Sequence, residues 1–261
     1  MIALLAWQLE QFGHFIDFAA RALWAIPGAS LTRFGDVLWQ FEQVAIRSLP
    51  IVAGAGVSVG LVTWLQTHRL LAVHGAESAL PGFLAVAVVV EIGPVLAGVL
   101  LASRMGAGLA AELGSMSLNE EIEARIVLGA DPMSSLVAPR AIACAVAVPL
   151  LTVVIDAAAL AGALGAELAA GKLTPLLFWR ESLVYLRLAD VIPAILKTAV
   201  FGLLVGMVGC WTGLSAEHSA EAVGRAATQG VVRATLAVFG ANVVLVPCIQ
   251  LTADILVRPW L

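Results

Sequence analysis

The sequence has too few charges to cover a water-facing surface. Charged residues make up 12% of its 261 residues, against about 25% in a soluble globular domain. Hydrophobic residues make up 61% and mean hydropathy is +0.99, so the solvent must be largely lipid. The net charge is −4 and no basic block occurs, which argues against nucleic acid as a partner. Cysteine is scarce: Cys144, Cys210 and Cys248 each lie inside an apolar stretch. They are expected to pack as small hydrophobes, with no disulfide framework and no metal site. The first charge is Glu10, with no positive segment ahead of the apolar residues, so no secretory signal peptide is expected. Catalytic signatures are missing too. The only Gly-Lys pair, Gly171-Lys172, has Ala166 where a P-loop needs its first glycine and Leu173 where it needs Ser or Thr. The chain therefore has no P-loop of its own for ATP. Neither H-E-x-x-H, G-x-S-x-G nor a paired cysteine motif occurs, so no catalytic residue, cofactor or metal ligand is assigned.

What is present is apolar helix. Near the N-terminus, Leu5, Phe12, Phe15, Ile16, Ala19 and Leu23 recur at helical spacing, while Gln8, Gln11, His14, Asp17 and Arg21 occupy much of the other side. This pattern suits a helix lying in the membrane interface or one packed on the rest of the protein. Pro27, Gly28 and Ser30 are expected to break it, and a second amphipathic piece over 31–47 leads into the membrane. Five spans are then predicted, over 48–67, 82–103, 141–166, 191–216 and 234–253. Each is long enough to cross, and in lipid each must be helical to satisfy its own backbone. The only charges within them are Glu91, Asp156 and Lys197. Trp64, Trp211 and Trp260 fall near span ends, where an indole prefers the interface.

With a cytoplasmic N-terminus, the inner segments hold Arg21, Arg33, Arg47, Arg104, Arg125, Arg140, Arg225 and Arg233. Arg69, Lys172, Arg180, Arg187, Lys197 and Arg258 fall outside or in a span. This is a thin bias toward that orientation under the positive-inside rule.

The second span carries a stripe of small residues. Gly98, Ala102, Gly106, Ala110 and Gly114 recur every four residues, with Pro94 one step earlier, which keeps them on one helical face. Such a stripe lets helices approach closely in lipid, either within one subunit or at a dimer seam. Gly56/Gly60, Gly202/Gly206 and Gly209/Gly213 repeat the theme. Glu91 lies mid-span beside Gly93 and Pro94. A membrane acid needs a partner, a cavity or water, so Glu91 either lines a substrate path or holds a kink made by Pro94. Asp156 has the same ambiguity.

The most informative polar segment is Ser115–Pro132. Ser117 and Glu120 form an S-x-x-E capping box, predicting a helix that starts at Ser117. Leu118, Ile122 and Ile126 form its apolar stripe, and Glu121 and Arg125 an i,i+4 pair. Gly129 is placed to end the helix, and Asp131-Pro132 to cap the next. The expected product is a short, rigid amphipathic helix between two spans, able to transmit force from a peripheral partner.

These residues carry a family resemblance. The run Glu91-Ile92-Gly93-Pro94, then Ser103-Arg104-Met105-Gly106, then Ala111-Glu112-Leu113-Gly114-Ser115-Met116 resembles the core signature of MlaE-type ABC permeases. So do Glu120, Glu121 and Ile122, the Gly129-Ala130-Asp131-Pro132 turn and the Pro139-Arg140 pair. A second block, Ala220 to Thr228 followed by Val231-Val232, is similar to the family's loop before the last helix, but has His218-Ser219 where the family usually has a glycine pair. The resemblance covers roughly residues 35–257.

It implies an all-α integral membrane protein. Residues 1–47 form an N-terminal interfacial helical region, and residues 48–257 a five-helix permease domain with a short cytoplasmic coupling helix between helices 2 and 3. By the same resemblance the coupling helix contains Ser117, Leu118, Glu120, Glu121, Ile122 and Arg125, while Glu91, Pro94, Gly98, Ala102 and Gly106 line a lipid cavity or a dimer seam. The implied assembly is a homodimer in the bacterial inner membrane, N-terminus cytoplasmic. Its implied partners are a cytoplasmic ABC ATPase, a periplasmic MCE-domain lipid-binding protein and, in many systems, a separate STAS-domain protein. Its implied cargo is phospholipid moving between the inner and outer membranes. The rival readings are an ion-coupled secondary carrier using Glu91 and Asp156, and a non-transporting membrane scaffold for a lipid-binding partner.

Overall fold

A computed structural model describes residues 2–170 and 174–257. Gly171, Lys172, Leu173, Arg258 and Trp260, and the side chains of Leu5, Gln8, Gln11 and Phe12, lie outside what is described. Among the described residues the chain is helical with no strand. Five stretches are long and apolar enough to cross a membrane: Phe34–Val73, Glu77–Leu118, Met133–Ala170, Leu188–Leu214 and Ala220–Leu251.

Helix α1, Ile2–Thr32, runs straight through Pro27, against the predicted break. One proline removes one ladder donor, and Pro27 is exposed. The Ser30 hydroxyl donates to the Pro27 carbonyl at 2.9 Å. The break comes instead at Arg33, whose carbonyl accepts from the Asp36 and Val37 N–H groups at 3.0 and 3.1 Å. One face of α1 packs on the protein: Phe18, Ala22 and Ala29 are buried, and Phe15 meets Trp211 edge-on with ring centroids 5.4 Å apart. The Arg233 guanidinium covers Trp211 at 4.9 Å, a cation–π contact. Ile16, Leu23 and Trp24 stay exposed. Helix α2, Phe34–Ala45, ends where Arg104 donates to the Gln43 and Val44 carbonyls at 3.2 and 3.3 Å, satisfying groups a helix end leaves orphaned.

The predicted spans are present, each longer than predicted. They are α3 (Leu49–Val73), α4 with α5 (Leu80–Val86 and Gly93–Leu118), α7 (Ala138–Ala170), α9 (Leu188–Leu214) and α10 (Ala220–Val257). Between α4 and α5 the helix widens to a π segment, Ala87–Ile92. It lies just ahead of Pro94, which has no N–H for the carbonyl one turn back; the Gly93 N–H closes the widened turn on the Val88 carbonyl. Helix α6, Glu121–Val127, lies between α5 and α7. Helix α8, Pro175–Tyr185, was not predicted. Thr174 caps it, accepting from the Leu177 N–H at 3.4 Å, and Pro175 stands at its first turn. Phe178 and Ser182 form its buried face.

The chain divides into two compact units. The first comprises Met1–Val44, Leu101–Ala147 and Phe201–Val238. Here the small-residue stripe of α5 packs within the chain. A Cβ on Gly106 would meet the Gly230 carbonyl oxygen at 2.8 Å, and one on Gly213 would meet the Ala110 carbonyl oxygen at 2.8 Å. Cys144 and Cys210 are free and buried.

The second unit comprises Ala45–Leu100, Val148–Val200 and Phe239–Leu261. A Cβ on Gly60 of α3 would fall on the Ala159 carbonyl of α7. Trp64 is buried with Leu80, Leu84 and Phe178. It turns inward rather than to an interface because its indole N–H donates to the buried Glu167 carboxylate at 2.6 Å. Cys248 is free and exposed.

Gly60→Ala is expected to destabilise the chain by about 1–3 kcal/mol, because backbone stands where the methyl group must go. Gly54→Ala on the same helix meets nothing within 4 Å and is expected to leave stability unchanged or slightly raised. Thermal unfolding of the detergent-solubilised chain checks both.

Candidate functional site

The second unit holds a polar centre among apolar spans. Glu91 lies on the π segment, Lys197 on α9 and Asn242 on α10. Glu91 Oε2 accepts from Lys197 Nζ at 2.7 Å, and Glu91 Oε1 accepts from Asn242 Nδ2 at 2.6 Å. One carboxylate thus ties three spans together. The lysine side chain is 2% exposed and the glutamate 45%, so the pair presents its acid edge outward. Asn242 Oδ1 is buried without a donor. The arrangement is net-neutral, and holds an exposed carboxylate edge over a buried lysine and a buried, unused amide acceptor. It is equipped to receive a polar group in an apolar setting.

Asp156 is brought to the same stretch from α7. It is buried, and its Oδ1 has no donor. It presses on Gly93, where any Cβ would overlap Oδ1. Both membrane acids therefore meet the second span beside Pro94. Pro94, Gly98, Ala102 and Gly106 are themselves buried within the chain; Glu91 alone of that predicted set has its side chain half open.

In the first unit, the predicted capping box is not formed. Helix α5 continues to Leu118, and Ser117 is buried inside it. Burial of the α5 face carries the helix past the predicted start. The turn falls at Asn119 and Glu120. The Glu120 N–H donates to the Ser117 carbonyl at 3.1 Å, and Glu120 adopts a left-handed φ of 59° with no side-chain cap bond. Ile122 is buried, whereas Ile126, Val127 and Leu128 are exposed. The predicted Glu121–Arg125 ion pair is not made; Glu123 instead faces His218 Nε2 at 3.9 Å. The far end follows prediction. Gly129, at φ 81°, closes the helix: its N–H donates to Ile126 and that of Ala130 to Arg125, at 2.9 and 3.0 Å, a Schellman pair. Asp131 caps the following helix, accepting from the Met133 and Ser134 N–H groups at 3.3 and 3.0 Å. The Arg140 guanidinium donates to Glu112 at 2.5 Å and to the Leu136 carbonyl at 2.8 Å, joining α5 to α7.

The sequence model of the family described as Permease MlaE matches residues 37–247. The chain belongs to the MlaE permease family. A probable ABC transporter permease protein of Synechocystis is 33% identical over 207 residues, 79% of each chain. The chloroplastic protein TRIGALACTOSYLDIACYLGLYCEROL 1 of Arabidopsis thaliana is 31% identical over 210 residues, 80% of this chain and 60% of that protein. The intermembrane phospholipid transport system permease protein MlaE of Haemophilus influenzae is 27% identical over 211 residues, 79% of each chain. As an MlaE permease, the chain is a multi-pass membrane protein and not itself an enzyme.

Sequence reasoning singled out Glu91 but missed its partners. The signal for Lys197 was present: a lone acid and a lone base in different spans are each costly unless they pair. Nothing in the sequence marked Asn242.

Glu91→Gln leaves the buried Lys197 ammonium without its counter-charge and is expected to cost about 3 kcal/mol. Adding Lys197→Met removes the stranded charge and is expected to restore most of that loss. Melting temperatures of the two variants in detergent check this; equal losses in both would contradict it.

Proposed function

We propose that this chain is the permease subunit of an ATP-driven ABC transporter that moves phospholipid between the inner and outer membranes and so maintains outer-membrane lipid asymmetry. It works in the inner membrane as a homodimer with its N-terminus cytoplasmic. A cytoplasmic ABC ATPase drives it, a periplasmic MCE-domain protein exchanges lipid with it, and a STAS-domain protein joins where one is present.

The observation that carries the reading is α6. It is a helix of 7 residues pinned between two spans, with a left-handed turn before it and a Schellman turn and an aspartate cap after it. At its end Ile126, Val127 and Leu128 stand 54%, 86% and 85% exposed. An apolar tip outside the spans calls for a covering partner, and a rigid mount lets movement of that partner reach α5 and α7. This is the part a coupling helix has to play; in this reading α6 and the N-terminus lie on the cytoplasmic side.

The Glu91–Lys197–Asn242 centre suits the polar head of a lipid, with the outward edge of the Glu91 carboxylate as acceptor to a headgroup ammonium or hydroxyl. The Haemophilus influenzae relative, named for intermembrane phospholipid transport, supports the cargo. Support for a homodimer comes from the last span, where 11% of the most apolar window is buried, against 50% in each of the three before it. Leu236, Val243, Val244 and Leu251 are left open for a second copy and for lipid. In the proposed cycle, ATP hydrolysis moves α6, and the paired second and fifth spans rock to open a lipid-sized cavity near Glu91.

A tagged chain drawn from detergent-solubilised membranes is expected to bring with it an ABC ATPase, an MCE-domain protein and phospholipid. Ile126→Asp, at an exposed site, is expected to lose the ATPase while the chain remains folded. Recovery of the chain without any ATPase, even after mild crosslinking, would turn the reading toward an ion-coupled carrier.

A further inference from the structure

The loop between α9 and α10 is fastened to α10 at two points. Glu217 is held by Arg225 of α10, at 3.5 Å, and Arg225 also pairs with Glu221 at 2.6 Å. Ser219 caps α10, its hydroxyl accepting from the Ala222 N–H at 3.2 Å, while its carbonyl accepts from the Val223 N–H at 3.1 Å. The residue between them, His218, points the other way. Its Nε2 lies 3.4 Å from the Ser117 hydroxyl at the end of α5 and 3.9 Å from Glu123 on α6. Three consecutive residues thus alternate between α10 and the α5–α6 junction. All these contacts lie within one compact unit.

We propose that His218 is a positioning residue for transport: it clasps α6 to the start of α10, so that displacement of α6 is passed to the last span as well as to α5 and α7. This rests on the reading of α6 as the coupling helix. The physical case is one of lever arms. Helix α6 is short and reaches α5 through Asn119 and Glu120, a turn with one residue in the left-handed region. The Schellman turn and the Asp131 cap hold the other end of α6 toward α7. Without a further attachment, movement of α6 would reach α10 only indirectly, through the glycine seam of α5. His218 supplies that attachment from a loop that Arg225 and Ser219 make part of α10. The imidazole reaches a buried hydroxyl, Ser117, and an exposed carboxylate, Glu123, so it touches both sides of the turn. A contact between exposed groups contributes little to stability; its effect is on geometry.

The test uses the whole complex as it comes from native membranes, reconstituted into liposomes of phosphatidylethanolamine and phosphatidylglycerol with a fluorescent phospholipid. ATP hydrolysis and lipid movement are measured together. His218→Ala is expected to lower lipid moved per ATP by about threefold or more, with hydrolysis retained, in the range by which single residues alter coupling between sites. His218→Gln keeps a side-chain hydrogen bond within reach of Ser117 and is expected to restore most of the ratio. Glu123→Gln with His218→Ala is expected to be no worse than His218→Ala alone, since both cut one link. If His218→Ala fails to assemble, Glu123→Gln at its exposed site gives the same readout from the other end. An unchanged ratio, or transport and hydrolysis falling in equal proportion without rescue by glutamine, overturns the clasp. Ile126→Asp separates the two ideas: an ATPase that stays bound to that variant overturns the coupling-helix reading itself, whatever His218 does.

Discussion

Lipid offers no hydrogen bonds, and much of this structure follows from that constraint. A backbone donor or acceptor in the hydrocarbon region must find its partner inside the chain. The five long apolar stretches are accordingly helical from end to end. Where Pro94 withdraws a donor, the second span takes up a π segment, with the Gly93 N–H bonding to Val88, rather than breaking. Where α2 ends, the Arg104 guanidinium collects two of its carbonyls.

The same constraint governs the polar side chains. Glu91 carries two partners, one per oxygen. Glu167 takes an indole N–H, and Arg140 a carboxylate and a carbonyl. Thr152 and Thr212 turn their hydroxyls back to the carbonyl one turn earlier. Against that background the unused acceptors beside the second span stand apart: Asp156 Oδ1 and Asn242 Oδ1 are buried and lack a donor. Both belong to residues that meet the stretch from Glu91 to Gly93. Here the second unit holds unspent hydrogen-bonding capacity.

Hydrophobicity cannot drive one apolar helix onto another in a medium just as apolar, so close packing has to do so. The glycines supply the proximity. Gly60 admits the backbone of α7 to α3, and Gly106 and Gly230 let α5 and α10 meet backbone to backbone. A seam built this way resists extra volume, because backbone rather than a flexible side chain stands in the way.

By itself the sequence determined the solvent, the number of spans and the Gly129–Asp131 turn, because these depend on composition and on neighbours a few residues apart. Low charge meant lipid, lipid required helix, and Gly129 and Asp131 act on their own local backbone. It also marked Glu91 and Asp156 as costly, since a membrane acid is anomalous wherever it points. Only the tertiary structure decided what those residues touch. Glu91 meets Lys197 and Asn242 across 106 and 151 positions of chain. The α5 face is buried through Ser117, which displaced the start of α6 from the local signal of a capping box. Trp64 left the interface for Glu167, 103 positions away. In the last two cases a local preference gave way to burial or to a long-range partner, and partners at such separations are set by how the helices pack.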